Sequence, residues 1–193
     1  MSIMIEMPQE TPLLDKIEAQ LLESRIIYLN GGIDGETVDS TILKIKYLNV
    51  RDQQENDFSR PIHLYISSEG GDAYLGWALV REIENSKSPV WTYNLSYCMS
   101  MALPIFLSGK KKFMSKYAVL LYHELRGSMP ELTRQEVKRL DKEYDRLQTI
   151  YDDFIIANSD LTQEDLNTHQ EKVSDWYINF SEAEKYKMFD EEI

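Results

Sequence analysis

Apolar positions in this chain follow two different periods. Ile26-Ile27-Tyr28-Leu29 is a short apolar run closed by Asn30-Gly31-Gly32, which reads as a strand and its turn. Val38, Ile42, Ile45 and Leu48 recur at helical spacing and predict an amphipathic helix from about Glu36 to Val50. A polar loop, Arg51 to Arg60, leads to Pro61 and a second strand, Ile62 to Ile66. Glu69-Gly70-Gly71-Asp72 follows, then a helix from about Ala73 to Glu84. Pro89 opens a third strand, Val90 to Leu95, which runs into Ser96-Tyr97-Cys98-Met99-Ser100-Met101 and a short apolar helix. Gly109 to Lys112 reads as a turn, and Tyr117 to Tyr122 as a fourth strand. The first two thirds are thus β-α-β-α-β-α-β. Mostly unalternating apolar strands with helices between them predict an α/β fold with a parallel sheet covered on both faces.

The last third has another pattern. Thr133-x-x-Glu136 is a capping box. Beyond it Val137, Leu140, Tyr144, Leu147, Tyr151 and Phe154 step by 3, 4, 3, 4, 3, a heptad-like seam on a helix of about 25 residues. Its other faces are charged, so the seam packs either on its own domain or against another subunit. A shorter polar helix follows Asn158-Ser159-Asp160, and Ser181-x-x-Glu184 reads as the cap of a last helix.

Composition narrows the function. With 193 residues the chain is one domain of ordinary size, and no repeat or linker divides it. The net charge of −12 argues against a nucleic-acid binder and against anionic membrane surfaces. Of that charge, −9 lies from Glu131 onward, where 8 basic side chains face 17 acidic ones. No apolar run approaches the roughly 20 residues that span a bilayer. The start, Met1 to Glu6, lacks the pattern of a secretory signal. One cysteine, Cys98, leaves no intrachain disulfide, and this usage suits a reducing cytoplasm. Three scattered histidines without an HExxH pattern give no reason to expect a zinc site or another cofactor.

Three positions carry candidate chemistry. Gly70-Gly71 follows a strand, where the absence of Cβ atoms opens backbone N–H groups to a ligand or simply allows a turn. Ser100 stands where a strand breaks into an apolar helix; it is either a nucleophile with its neighbour's N–H as oxyanion donor, or a helix cap. His123 ends the run Ala118 to Tyr122, at the carboxyl end of a strand, where parallel sheets carry their sites. His63, mid-strand, is expected to be packing or exposed by alternation, and His169, in a polar helix, to be solvated. Cys98 is the rival nucleophile, or else a small buried hydrophobe.

Arg25-Ile26-Ile27-Tyr28-Leu29, Leu64-Tyr65-Ile66-Ser67-Ser68-Glu69-Gly70-Gly71, Ser100-Met101-Ala102 and Leu120-Leu121-Tyr122-His123 occur in this order. Together they resemble the proteolytic subunit of the Clp protease family, from about Ile5 to Asp190. The resemblance implies the ClpP/crotonase-like fold in one domain. Its parts would be an N-terminal axial segment and helix (1–24), a head (25–127), a handle helix (128–160) and the rest of the head (161–193). It implies a serine endopeptidase working through an acyl-enzyme, with Ser100 as nucleophile, His123 as base, and the N–H groups of Gly71 and Met101 as oxyanion donors. The triad acid it implies is Asp175, fifteen residues before Asp190 as in the family; Asp165 and Asp190 are the competitors. Gly70 to Asp72 and Leu125 to Gly127 would be the two edges between which a polypeptide substrate adds as a strand. Partners implied are further copies of the chain, in rings that stack as two heptamers, and an AAA+ unfoldase. The segment Met7 to Pro12 stands where the family has its axial loop. Two other readings share the fold: a structural ring subunit with little chemistry, and a crotonase-type CoA-binding enzyme.

Overall fold

A computed structural model describes residues 12–126, 133–171 and 175–193. The N-terminal segment Met1 to Thr11, Gly127 and the first residues of the handle stretch lie outside them. Helix α1 (Leu13–Glu23) leads into strand β1 (Ile26–Ile33), then α2 (Gly35–Glu55), β2 (Ile62–Gly71), α3 (Ala73–Asn85) and β3 (Val90–Met99). There follow α4 (Ala102–Leu107), β4 (Lys111–Met114), β5 (Val119–Tyr122), α5 (Arg134–Ala157), α6 (Gln163–Gln170), β6 (Trp176–Asn179), α7 (Phe180–Lys185) and β7 (Glu191–Glu192).

The strands form one sheet in the order β1-β2-β3-β4-β7, and β5 joins β3 to β6. Every pairing is parallel except β5 with β6. Ile27, Leu29, Leu64 and Ile66 are buried together with Val38, Ile45 and Leu48 of α2, Leu79 and Val80 of α3 and all of α4 in one continuous core.

The opposite face is only partly covered, contrary to the expectation of a sheet buried on both sides. Tyr28, Tyr65, Tyr93 and Phe113 stand abreast on four neighbouring strands. Their rings stack at 5.2, 4.5 and 4.6 Å, and Tyr28 is more than half exposed. β2 alternates buried and half-buried residues along most of its length. Tyrosine and histidine at the outer positions are apolar enough to hide that alternation in the sequence.

Several boundaries move for local reasons. Asn30-Gly31-Gly32 does not end β1; the register shifts there, with Gly31 at φ 89°, and pairing resumes up to Ile33 opposite Gly71. α2 continues into the stretch read as loop, as far as Glu55, and Asp52 within it turns inward to Arg25. It stops at Asn56, whose left-handed φ of 52° closes the helix. The lysine turn becomes β4, with Lys111 lying over the Trp91 and Phe113 rings.

The capping box at Thr133 and Glu136 starts α5 as expected. Its seam divides: Leu147 and Tyr151 are buried, and Phe154 meets Trp77 edge-on, whereas Val137, Leu140 and Tyr144 stay half exposed. The last helix is capped by Asn179, which exchanges hydrogen bonds with Glu182; Ser181 lies inside the helix. Asn179 takes the role because β6, unseen in the sequence, delivers the chain to the helix one residue before Phe180.

Candidate active site

The sheet brings the carboxyl ends of β2, β3 and β5 to one edge, and the antiparallel β6 starts there. Ser100 is the first residue beyond β3 and His123 the first beyond β5; Asp175 is the last before β6. In the β5–β6 ladder Tyr122 pairs with Trp176, so one step further along the same register sets His123 opposite Asp175. Met99 pairs with Leu121, and the Ser100 N–H then donates to the Leu121 carbonyl at 3.0 Å. Three residues far apart in sequence thus become neighbours through strand pairing alone.

Ser100 sits in a sharp bend. Its φ of 52° is left-handed, a conformation that costs a non-glycine residue roughly 1–3 kcal/mol. The surroundings hold it there: its carbonyl accepts the Leu103 N–H at 2.9 Å and the Tyr151 hydroxyl at 3.0 Å. Ser100 is not the cap of α4, whose N-cap residue is Met101 and makes no side-chain capping bond. That position leaves the Met101 N–H ahead of the helix's own hydrogen-bond pattern.

The two glycines make this bend feasible. A Cβ on Gly70, at φ 95°, would lie 2.6 Å from the Ser100 Cβ and 3.0 Å from the Met101 nitrogen. One on Gly71, at φ 153°, would lie 2.4 Å from the Ile33 carbonyl oxygen. The pair is pressed between the end of β1 and the serine bend, so neither tolerates a side chain.

Side chains at the edge are less settled than the backbone. Among the described residues no hydrogen bond joins Ser100 to His123 or His123 to Asp175. His123 Nδ1 instead meets the carbonyl of its neighbour Glu124, and Asp175 pairs with Arg126. Both members of that ion pair reach solvent, Arg126 by 62% and Asp175 by 32% of their side chains. Asp72, expected at the substrate edge, accepts the Leu75 N–H as the cap of α3, and its own N–H donates to Ile33. The Leu125 N–H donates to Gln148 Oε1 at 2.8 Å.

The competing residues are engaged elsewhere. Cys98 is fully buried in β3, its sulfur directed at the Ile66 carbonyl, and burial pushes the thiol well above its usual range. A buried neutral thiol is a poor nucleophile. Asp165 caps α6 with Thr162, whose hydrogen bonds hold its carboxyl below the usual range. Asp190 accepts the Lys112 N–H at 2.7 Å. Of the two readings of His63, packing holds: its Nδ1 lies 2.7 Å from the Tyr93 hydroxyl and its ring meets Trp91 edge-on. His169 is half-buried rather than fully solvated: its ring lies flat on Trp176 at 3.7 Å, at the start of β6.

The sequence reading passed over Gln148, Asp152, Gln170 and Arg126. Asp152 had a signal: an acid directly after the seam residue Tyr151, on the inward side of α5, where it is buried. Among the described residues no group of three or more His, Cys, Asp or Glu is arranged to hold a metal, and no helix is long and apolar enough to cross a membrane.

Comparison with known proteins agrees with this architecture. The family model described as Clp protease matches residues 9–193. The ATP-dependent Clp protease proteolytic subunit of Streptococcus mutans is 30% identical over 91% of this chain and 87% of its own. The subunits of the same name from Deinococcus radiodurans and Streptococcus sanguinis are 27% and 28% identical. They cover 92% and 91% of this chain, and 84% and 87% of their own. A parallel sheet ending in Gly-Gly and a strained serine, matched over nearly its whole length, makes this chain a divergent member of the Clp protease family.

Proposed function

We propose that the chain is a serine endopeptidase that cleaves unfolded polypeptides through Ser100, His123 and Asp175. The observation that carries this reading is the meeting of three strand ends: the serine on a left-handed bend, and the histidine one register step from the aspartate. In the proposed reaction Ser100 Oγ attacks the peptide carbonyl carbon while His123 takes its proton. The developing oxyanion lies against the N–H groups of Gly71 and Met101. His123 returns the proton to the leaving amine, and water then hydrolyses the acyl-enzyme by the same route. Asp175 fixes the histidine tautomer and stabilises the imidazolium. Gly70 and the segment at Leu125 flank the substrate strand.

The reaction requires two partner exchanges among side chains. His123 releases the Glu124 carbonyl, and Asp175 exchanges Arg126 for the imidazole. The exposed pair with Arg126 is worth at most about 1 kcal/mol, so it does not prevent the exchange.

Assembly into rings is part of the proposal. α1 has no buried residue, and Leu13, Leu14 and Ile17 stand exposed on it. The half-buried start of the α5 seam is a second apolar strip that the described residues leave partly open. Further copies of the chain are the proposed covers, an AAA+ unfoldase the proposed partner, and the cytoplasm the proposed compartment.

Peptide hydrolysis by the parent protein and by Ser100→Ala tests the chemistry. The variant should lose several orders of magnitude in kcat; undiminished hydrolysis overturns the reading. Native mass measurement tests assembly, and a monomer contradicts it. One observation favours a second reading, a structural subunit with weak activity: the three side chains are not bonded to one another. In that case His123→Ala would support degradation as well as the parent does.

A further inference from the structure

A buried acid lies beside this edge, and among the described residues no cation pairs it. Asp152 of α5 is 6% exposed, and each of its partners among the described residues is neutral. Its Oδ1 accepts the Tyr122 hydroxyl at 2.7 Å and Gln148 Nε2 at 2.8 Å. Its Oδ2 accepts Gln170 Nε2 at 2.9 Å, and that amide also reaches the Tyr122 oxygen at 2.6 Å. Gln148 closes the cluster by accepting the Leu125 N–H. An apolar residue of similar volume would fill the position at no desolvation cost, so the fold gains little stability from an acid here. What the acid does provide is direction, since each hydrogen bond fixes one segment relative to α5.

The segments it fixes are those that carry the candidate chemistry. Tyr122 and Leu125 bracket His123, one bound to Asp152 and the other to Gln148. Gln170 lies five residues before Asp175. Tyr151, next to Asp152, holds the Ser100 carbonyl. Residues 148, 151 and 152 occupy one turn of one helix face. A single helical turn therefore touches the segments of the nucleophile and the base, and the end of α6 that precedes the acid.

Resting on the proposed Ser100–His123–Asp175 reading, we propose that Gln148 and Asp152 are positioning residues. They hold the backbone around His123 at the distance from Ser100 that catalysis needs. The His123 ring stays free to turn while its flanks are fixed. Neither side chain touches the reacting atoms; Asp152, bound to Tyr122, acts on kcat with substrate affinity nearly unchanged, whereas Gln148, bound to the substrate-flanking Leu125, acts on both.

The test compares the rate of fluorophosphonate labelling at Ser100 and the kcat and KM for a short peptide. The proteins are the parent, Gln148→Leu, Asp152→Asn, and the swapped pair Gln148→Glu with Asp152→Asn, each with its melting temperature. The expected result is a loss of about tenfold or more in labelling and kcat for each single variant, because misplacement near 1 Å costs up to a hundredfold. KM should stay within about twofold for Asp152→Asn and rise for Gln148→Leu, which also frees Leu125. The swapped pair, which restores one carboxylate and one amide, should recover most of the rate. Rates within twofold of the parent in both single variants overturn the proposal, as does a swapped pair no faster than Asp152→Asn. If Asp152→Asn fails to fold, Gln148→Leu, half exposed on its helix, decides alone. A parent protein that takes no label at Ser100 overturns the triad reading itself. A labelled parent with unaffected variants overturns only the positioning role.

Discussion

The two ends of the parallel sheet carry opposite kinds of polar chemistry. At the amino ends of β1, β2 and β3, Arg25 grips Asp52 with two hydrogen bonds of 2.7 Å. The same guanidinium donates to the Pro61 and Arg60 carbonyls, and Ser88 donates to Asp52. Both charges are nearly inaccessible, with side chains 8% and 0% exposed. Burial opposes ionisation of Asp52, but hydrogen bonds from Arg25 and Ser88 outweigh it and keep the carboxyl below the usual range. At the carboxyl ends, by contrast, Ser100, His123 and Asp175 are partly exposed, and no bond joins them. One end is a closed lock built around a buried ion pair. The other leaves its groups available, and only the backbone beneath them is fixed. Stability and the proposed chemistry are thus separated along the strand direction; open α/β sheets place their ligand sites at the carboxyl ends of the strands.

Changes at the two ends should accordingly differ in kind. The largest effect is expected from Asp52→Ala, which strands the buried Arg25 charge and should cost about 3–5 kcal/mol. Thermal unfolding would read this as a melting temperature roughly 6–20 °C lower. The labelling rate of Ser100 in the folded fraction should not change, and a changed rate would break the separation. Gly70→Ala comes next, at the other end. The added methyl meets Ser100 and the Met99 carbonyl at 2.6 and 2.7 Å, so labelling should fall by about a hundredfold. A labelling rate equal to the parent's would show that the bend is not held by this contact.

Smaller effects sharpen the picture. Arg126→Gln frees Asp175 for His123 and should raise the labelling rate by no more than about fivefold, the worth of an exposed ion pair. A larger rise would make Arg126 a true inhibitor, and a fall would give it a supporting role. The smallest effect concerns pH. Burial lowers the His63 pKa below its ordinary value of 6.5, so the unfolded chain binds a proton more readily than the folded one. Its contribution to stability is present above that ordinary value and is lost as pH falls through the lowered one. His63→Phe should therefore flatten the acid limb of melting temperature against pH. An unchanged slope would assign that limb to other groups.

Local pattern made much of this legible in the chain. The β-α-β order, the Thr133 capping box, the length of α5 and the bounds of α3 follow from periodicity and capping residues. Ser100, Gly70-Gly71 and His123 were visible because each closes or follows an apolar run. What escaped was created by pairing over distance. β4, β6 and β7 are too short or too charged to show as strands. Trp176 to Asn179 becomes one only because β5 offers it an edge. The outer row of tyrosines hid the one-sidedness of the sheet. Asp175 was reached by resemblance rather than by pattern, since nothing local marks it. Asp152 read as one more charge on a charged helix, because its neutral partners come from β5 and α6 as well as α5.

The central claim is that Ser100 is the nucleophile at this edge. Incubating the intact protein with a fluorophosphonate and mapping the adduct by mass spectrometry tests it most directly. A single adduct on Ser100, absent from Ser100→Ala and strongly slowed in His123→Ala, is the expected result. An unlabelled Ser100, or an adduct that persists unchanged in Ser100→Ala, would contradict it.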